Sequence, residues 1–276
     1  MKIRAEGGLE KMQARLADPV QYVLPVGEQE IPLNELLGKK IQLHYLGKIH
    51  CIHCGRLTKK SFNQGFCYPC FQKLAQCDSC IMSPEKCHYA AGTCREPEWA
   101  QTHCFVDHIV YLSNTSGPKI GITRASQVPT RWIDQGAVEA LPLLSVKTRQ
   151  QSGLFEHLCK KFIADKTNWQ AMLKGNIAAQ DLPALRDQLL FSIRQELAVL
   201  QERFPPESFS LMDNAVKVAI NYPVMTYPVK VISLDFEKQP IVEGILHGIK
   251  GQYLLLDSGV INIRKFTAYQ VRFSNQ

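Results

Sequence analysis

The segment VYLSNTSGPKIGITRASQVPTRWIDQGA, residues 110–137, carries the strongest structural signal in the chain. It begins as an apolar strand, passes through Asn, Ser, Gly and Pro residues typical of a turn, and continues as a second strand, KIGIT. The segment PTRWIDQGA then predicts a short helix. This arrangement brings Tyr111, Lys119 and Arg131 near one turn, and these residue types can handle a phosphate group.

Strands and helices alternate around this hairpin. LPLLSVKT, residues 141–148, predicts a third strand, and SGLFEHLCKKF, residues 152–162, predicts a helix. DLPALRDQLLFSIRQELAVLQERF, residues 181–204, predicts a long helix with Asp181 as its N-cap. Its apolar positions fall on one stripe, which consists of Leu185, Leu189, Ile193, Leu197 and Leu200.

Both ends of the chain are predicted to be rich in strands. IQLHYLG, residues 41–47, alternates apolar and polar residues with the period of a half-buried strand. Four or five short strands with glycine turns follow residue 222 and resemble a small barrel. We therefore expect an α+β protein with five parts: a β segment (1–50), a cysteine region (51–104), a central α/β domain (105–178), a long helix (179–206) and a C-terminal β segment (207–276).

The first group of cysteines has the spacing of a zinc ribbon. CIHCGRLTKKSFNQGFCYPC, residues 51–70, contains two C-x2-C pairs, Cys51 with Cys54 and Cys67 with Cys70. Each pair offers two thiolates to one ion, and together they form a closed tetrahedral site. This spacing strongly favours zinc over four coincidental core cysteines.

The second group of cysteines predicts a further metal site whose fourth ligand is open. We expect Cys77, Cys80, Cys87 and Cys94 as ligands, with Cys104 as the rival for the last place. Zinc is favoured because the site adjoins a zinc ribbon, and a four-cysteine iron–sulfur cluster is the alternative. Two zinc ions in total are expected. Cys159, by contrast, falls in an apolar stripe and is predicted to fill the core.

Composition narrows the setting of the protein. The chain has 276 residues, ten cysteines and a formal net charge of +7. The charge slightly favours a polyanionic partner, although zinc–thiolate sites would lower it. No apolar run is long enough for a membrane helix and the N-terminus has no secretory h-region, so we expect a reducing, cytoplasmic location. Nothing in the sequence indicates an oligomeric state.

The 108–170 region resembles the GIY-YIG endonuclease domain. Ile109-Val110-Tyr111 stands where the first triplet of that family occurs, and Lys119-Ile120-Gly121 stands where the second occurs. Thr123 keeps the usual spacing, Arg131 matches the catalytic arginine of the first helix, and Glu156 matches the metal-binding glutamate of a later helix. The resemblance implies Mg²⁺ at Glu156 and catalytic roles for Tyr111, Lys119, Arg131 and Glu156. Most of the chain, from the cysteine groups through GTCREPEWA to HIVYLSNTSGPKIGITR and PTRWIDQGA, is also similar to an uncharacterised bacterial family that carries only an unknown-function label.

Two departures from the GIY-YIG pattern bear on activity. Ile109 replaces the first glycine, and Lys119 replaces a tyrosine, so one tyrosine hydroxyl is missing. The same residues also have structural interpretations. Tyr111 could simply pack on a strand, and Arg131 could pair with Asp134 at i,i+3.

Three functions follow from these patterns. The first is a zinc-containing protein that binds DNA or RNA and cleaves phosphodiester bonds with Mg²⁺. The second is a binding or assembly module without catalysis, and the third is a redox or metal-sensing role for the cysteines. For nucleic-acid contacts we expect the ribbon residues Arg56, Lys59 and Lys60, together with Arg124.

Overall fold

The computed structural model describes residues 1–276 and has a mixed α+β architecture built on three antiparallel sheets. The strands are β1 (Lys2–Gly8), β2 (Gln13–Arg15), β3 (Gln21–Val26), β4 (Gln29–Pro32), β5 (Lys40–His50), β6 (Leu57–Thr58), β7 (His108–Asn114), β8 (Pro118–Arg124), β9 (Glu139–Val146), β10 (Phe209–Leu211), β11 (Val218–Ala219), β12 (Ile241–Lys250), β13 (Tyr253–Leu256), β14 (Gly259–Asn262) and β15 (Tyr269–Asn275). The helices are α1 (Tyr68–Lys73), α2 (Pro97–His103), α3 (Thr130–Asp134), α4 (Arg149–Cys159), α5 (Trp169–Lys174) and α6 (Leu182–Gln201).

The largest sheet joins the two ends of the chain. Its order is β1-β15-β5-β12-β13-β14, and β6 pairs with β5. On β5 the side chains of Ile41 and Leu43 are buried whereas those of Gln42 and His44 are half-buried, which confirms the predicted alternation. The strand order ends at β1 and β14, so closure of the C-terminal strands into a barrel is not confirmed.

A small sheet packs against this large one. It has the order β2-β3-β4, and its buried residues belong to the same core cluster of 33 residues as those of β5, β12 and β15. The 1–50 and 207–276 segments, which the sequence presents separately, therefore share one hydrophobic core.

The central sheet carries the hairpin that the sequence predicted. Its order is β10-β9-β7-β8, with β11 paired to β9, and Tyr111 on β7 lies opposite Gly121 on β8. Along the chain, β7, β8, α3, β9 and α4 follow the predicted order of strand, strand, helix, strand and helix. Helices α4 and α6 cover the sheet and contribute to a second core cluster of 16 residues, which includes Cys159.

Helix α6 begins and packs as its sequence predicts. The Asp181 carboxylate accepts a hydrogen bond from the backbone N–H of Ala184 at 3.0 Å and so caps the helix. Of the predicted apolar stripe, Leu189, Ile193 and two further leucines are buried. No helix in the protein is both long enough and apolar enough to cross a membrane.

Candidate functional site

The first four cysteines converge on one point. The sulfur atoms of Cys51, Cys54, Cys67 and Cys70 all lie within 4.8 Å of one another, and the Cys54 and Cys67 sulfurs are 3.7 Å apart. Four sulfurs at about 2.3 Å from a zinc ion would be separated by about 3.8 Å. The geometry therefore fits a single zinc ion held by the four predicted ligands.

The electrostatics of this cluster also favour a cation. Although burial opposes ionisation, the backbone N–H groups of Cys54, Cys67 and His53 lower the pKa of Cys51 to about 6. Desolvation and the neighbouring cysteine sulfurs raise the pKa of Cys70 to about 12. Because four adjacent thiolates repel one another, they ionise together only when a metal ion neutralises them.

In the second group of cysteines, Cys104 lies with Cys80, Cys87 and Cys94, and Cys77 lies apart from them. Cys80, Cys87, Cys94 and Cys104 line one cavity, whereas Cys77 does not. Cys77 instead packs beside the first zinc site, where its sulfur accepts a hydrogen bond from Asn63 at 3.5 Å. The reason is local: Cys77 and Cys80 stand in two separate 3-10 turns with an extended Asp78 between them, so the two thiols of this C-x2-C pair do not converge.

Tyr111 is fixed between the two strands of the hairpin. It is fully buried, its ring lies 5.8 Å from that of Trp132, and its hydroxyl donates a hydrogen bond to Gln135 at 3.0 Å. A Cβ atom at Gly121 would lie 2.7 Å from the Tyr111 hydroxyl, so glycine is required opposite the ring. Trp132 belongs to the core cluster of 33 residues, so its ring packs in the interior.

The four residues indicated by the GIY-YIG resemblance are neighbours in the structure. Burial raises the pKa of Tyr111 to about 12, and the adjacent Arg131 guanidinium partly offsets this. Burial and Arg131 lower the pKa of Lys119 to about 8, whereas Glu156 and Asp165 oppose that shift. Each of these groups is thus close enough to change the ionisation of another.

Arg131 does not pair with Asp134, so that structural interpretation of Arg131 is wrong. Asp134 instead binds Lys11 at 3.0 Å and accepts a hydrogen bond from Gln252 at 2.9 Å. The nearby carboxylates are also engaged, because Asp165 and Glu156 lie 3.0 and 3.9 Å from Lys160. Arg131 and Lys119 therefore have no carboxylate partner within ion-pair distance.

Two further arginines extend this positive site, and sequence reasoning missed both. Arg149 begins α4, and Arg264 lies in the turn before β15. Burial lowers the pKa of each, and the nearby Arg131 lowers both further. Arg264 also donates a hydrogen bond to Gln64 of the zinc ribbon at 2.6 Å. No sequence signal could locate Arg264 here, because its approach depends on the sheet that joins the two chain ends.

The predicted nucleic-acid contacts fall in two places. Arg56, Lys59 and Lys60 are exposed on the zinc ribbon, and Lys60 lies over the ring of Phe62 at 5.5 Å. Arg124 is half-buried at the end of β8, opposite His108 in the strand register. Arg124 is therefore separate from the exposed ribbon cluster and lies near Cys104.

Glu156 has the donor chemistry for a magnesium ion. Its side chain is 14% exposed, and burial raises its pKa, with Lys160 opposing the shift and Asp165 adding to it. Mg²⁺ commonly binds one or two protein carboxylates and completes its shell with water and phosphate oxygens. Glu156 and Asp165 offer carboxylate oxygens of that kind, and both lie within 4.0 Å of the Lys160 ammonium, which a bound Mg²⁺ would have to displace.

Comparison with known proteins identifies a family and nothing closer. The family described as "Protein of unknown function (DUF2797)" matches residues 38–271. The matched range includes both cysteine groups, the central sheet and most of the large sheet. No curated protein and no solved structure matches the chain.

Proposed function

For this chain, which belongs to the DUF2797 family, we propose that it binds nucleic acid at the Tyr111–Lys119–Arg131–Glu156 site and hydrolyses phosphodiester bonds there. The observation that carries the proposal is the meeting of these four side chains, which come from β7, β8, α3 and α4. Each one alone has a structural explanation. Two cationic side chains without carboxylate partners, beside one half-buried carboxylate and one hydroxyl, match the needs of a phosphate diester.

The cationic side chains bind the phosphate. The Arg131 guanidinium donates two hydrogen bonds to the non-bridging oxygens, and the Lys119 ammonium neutralises further charge. Because both side chains lack ion-pair partners, a phosphate does not have to displace a carboxylate. Partial burial strengthens these interactions relative to those at an open surface.

Tyr111 and Glu156 complete the site. Because its pKa is about 12, Tyr111 stays protonated at neutral pH. Its hydroxyl donates its proton to Gln135, and its oxygen faces the Arg131 side chain, so Tyr111 orients the guanidinium toward the phosphate. Glu156 would hold the Mg²⁺ ion, which supplies Lewis-acid activation of phosphate and water.

The zinc ribbon positions the polymer. Arg56, Lys59 and Lys60 are exposed and contact backbone phosphates outside the site, which sets the register without reading sequence. The hydrogen bond between Gln64 and Arg264 connects the ribbon to the arginine beside Arg131. A nucleic acid bound on the ribbon would thus run toward the four-residue site.

A panel of labelled single- and double-stranded DNA and RNA tests this function. Binding and cleavage are measured with Mg²⁺ or Mn²⁺ for the wild type, R131A and the control R194A, whose arginine is exposed on α6. We expect R131A to lose both binding and cleavage, and R194A to match the wild type. Equal binding and cleavage by R131A and the wild type would refute the site.

A binding module without catalysis is the second candidate, and the complete burial of the Tyr111 side chain favours it. Tyr111 is fully buried and Lys119 is only 4% exposed, so a water molecule has limited room beside the Tyr111 hydroxyl. For this candidate the panel would give salt-dependent binding that is lost in R131A, without cleavage in either metal.

A further inference from the structure

The cysteines of the second group line a cavity, whereas those of the first group converge on one point. The cavity lies between the 3-10 turns that follow the zinc ribbon and helix α2, and Cys80, Cys87, Cys94 and Cys104 all line it. The rest of its wall is mostly apolar and includes Trp99. Four cysteines that face one enclosed apolar cavity form a ready ligand set for a metal centre.

The spacing of the four sulfurs argues against a single zinc ion. The four sulfurs of the zinc ribbon all lie within 4.8 Å of one another, whereas those of Cys80, Cys87, Cys94 and Cys104 do not. A mononuclear zinc site brings its sulfurs to about 3.8 Å from one another. An iron–sulfur cluster stands between its ligands, so its cysteine sulfurs lie further apart.

The sequence spacing also differs from that of the ribbon. Six residues separate Cys80 from Cys87, six separate Cys87 from Cys94, and nine separate Cys94 from Cys104. None of these ligands belongs to a C-x2-C pair with another member of the set. The cavity therefore lacks the paired knuckles that close around one zinc ion in the ribbon.

A buried arginine supplies the charge that a thiolate-bound cluster requires. The Nε atom of Arg149 is buried without a hydrogen-bond partner. Its Nη2 donates to the carbonyl of Ile81 at 2.6 Å, and its backbone N–H donates to the carbonyl of Cys104 at 2.7 Å. Arg149 is thus held beside the cysteine cavity, and its Nε–H has no hydrogen-bond acceptor.

A mixed site is less well supported. Ligand atoms of Asp78, Cys80 and His88 do approach within 4.8 Å of one another. Asp78, however, forms an ion pair with Arg95 at 2.8 Å, and the Nδ1 atom of His88 is hydrogen-bonded to Thr93 at 2.8 Å. These contacts explain Asp78 and His88 without a metal and leave the four cysteines as the only unexplained donors around the cavity.

We propose that Cys80, Cys87, Cys94 and Cys104 bind an iron–sulfur cluster of the four-cysteine type. The cluster stabilises the packing of the cysteine region against α4. That packing is already close, because a Cβ atom added at Gly153 on α4 would lie 2.6 Å from Pro84. This site is separate from the zinc ribbon. It also does not depend on whether the Tyr111 site cleaves nucleic acid, because none of its ligands belongs to that site.

The test uses the full chain, purified without oxygen and reconstituted with ferrous iron and sulfide. We expect two or four iron with an equal number of sulfide per chain, together with broad visible absorption and, at the ribbon, about one zinc. C104S should lose the iron and the visible absorption but keep the zinc. C77S, a cysteine of the same segment that does not line the cavity, should keep both metals.

The zinc content of each variant reports whether the neighbouring ribbon is still folded. Loss of iron in C104S at unchanged zinc content supports the proposal. Two zinc ions and no iron in the reconstituted wild type would overturn it in favour of a second zinc site. Iron retained by C104S but lost from C77S would overturn the assigned ligand set.

Discussion

Lys119 is a buried lysine of the proposed site, and its ionisation makes its proposed role in phosphate binding measurable. Burial lowers its pKa to about 8, so the side chain loses its charge within an accessible pH range. The groups that face it are Arg131, which adds to the shift, and Glu156 and Asp165, which oppose it. If the charged lysine binds phosphate, the affinity for nucleic acid should fall as the pH rises through 8.

The size of the effect follows from the titration. From pH 7 to pH 9 the protonated fraction of a group with a pKa of about 8 falls about tenfold. A charge-assisted hydrogen bond contributes about 1.5–3 kcal/mol, so the contact is strong enough for the affinity to follow that fraction. We therefore expect the Kd of wild-type protein to rise about tenfold between pH 7 and pH 9.

The assay is fluorescence anisotropy with a labelled oligonucleotide at constant salt and without added divalent ions. K119R keeps its charge throughout this range, so its Kd should stay nearly constant. K250M is the matched control. Lys250 is also buried, and burial lowers its pKa to about 8, but it lies between Tyr222 and Tyr227 rather than at the site. An equal pH dependence in K119R and the wild type, or a flat profile in the wild type, would refute this role of Lys119.

Three further outcomes test separate parts of the structure. G121A should lower the free energy of unfolding by about 1–3 kcal/mol, because its Cβ would overlap the Tyr111 ring; an unchanged urea midpoint would contradict that packing. C54S should remove about one zinc per chain by metal analysis, and unchanged zinc content would mean that the ribbon cysteines are not the ligands. The triple variant R56A/K59A/K60A should reduce the salt dependence of duplex binding by about 0.9 in log–log slope for each lost phosphate contact. The control K230A/K238A, which removes exposed lysines elsewhere, should keep the slope, and equal slopes in both variants would exclude the ribbon as a phosphate-binding surface.

Features set by nearby residues could be predicted from the sequence. The hairpin at 108–124, the Asp181 cap and the ribbon cysteines each depend on contacts within one or two elements, so the local pattern carries the information. The proximity of Tyr111, Arg131 and Glu156 follows from the order β7, β8, α3, β9 and α4, which the sequence also predicted.

Features that depend on distant parts of the chain could not be predicted. The pairing of β1 with β15 joins residues at opposite ends of the sequence, and no local pattern identifies that partner. The same closure brings Arg264 beside Arg131. Sequence spacing also could not show that Cys104, and not Cys77, lines the cavity with Cys80. Cys77 and Cys80 are only three residues apart, but they stand in two separate 3-10 turns.

We propose that Glu156 on α4 is a catalytic residue and not only a polar residue at the edge of the core. The most direct measurement is Mg²⁺-dependent cleavage by E156Q, a variant of nearly equal volume, at nucleic-acid concentrations that saturate binding. The control is E196Q, which changes an exposed glutamate on α6. We expect E156Q to bind as the wild type does but to lose cleavage by at least two orders of magnitude, and E196Q to retain it. Equal cleavage by E156Q and the wild type, or the absence of cleavage of DNA and RNA in the wild type itself, would contradict the claim.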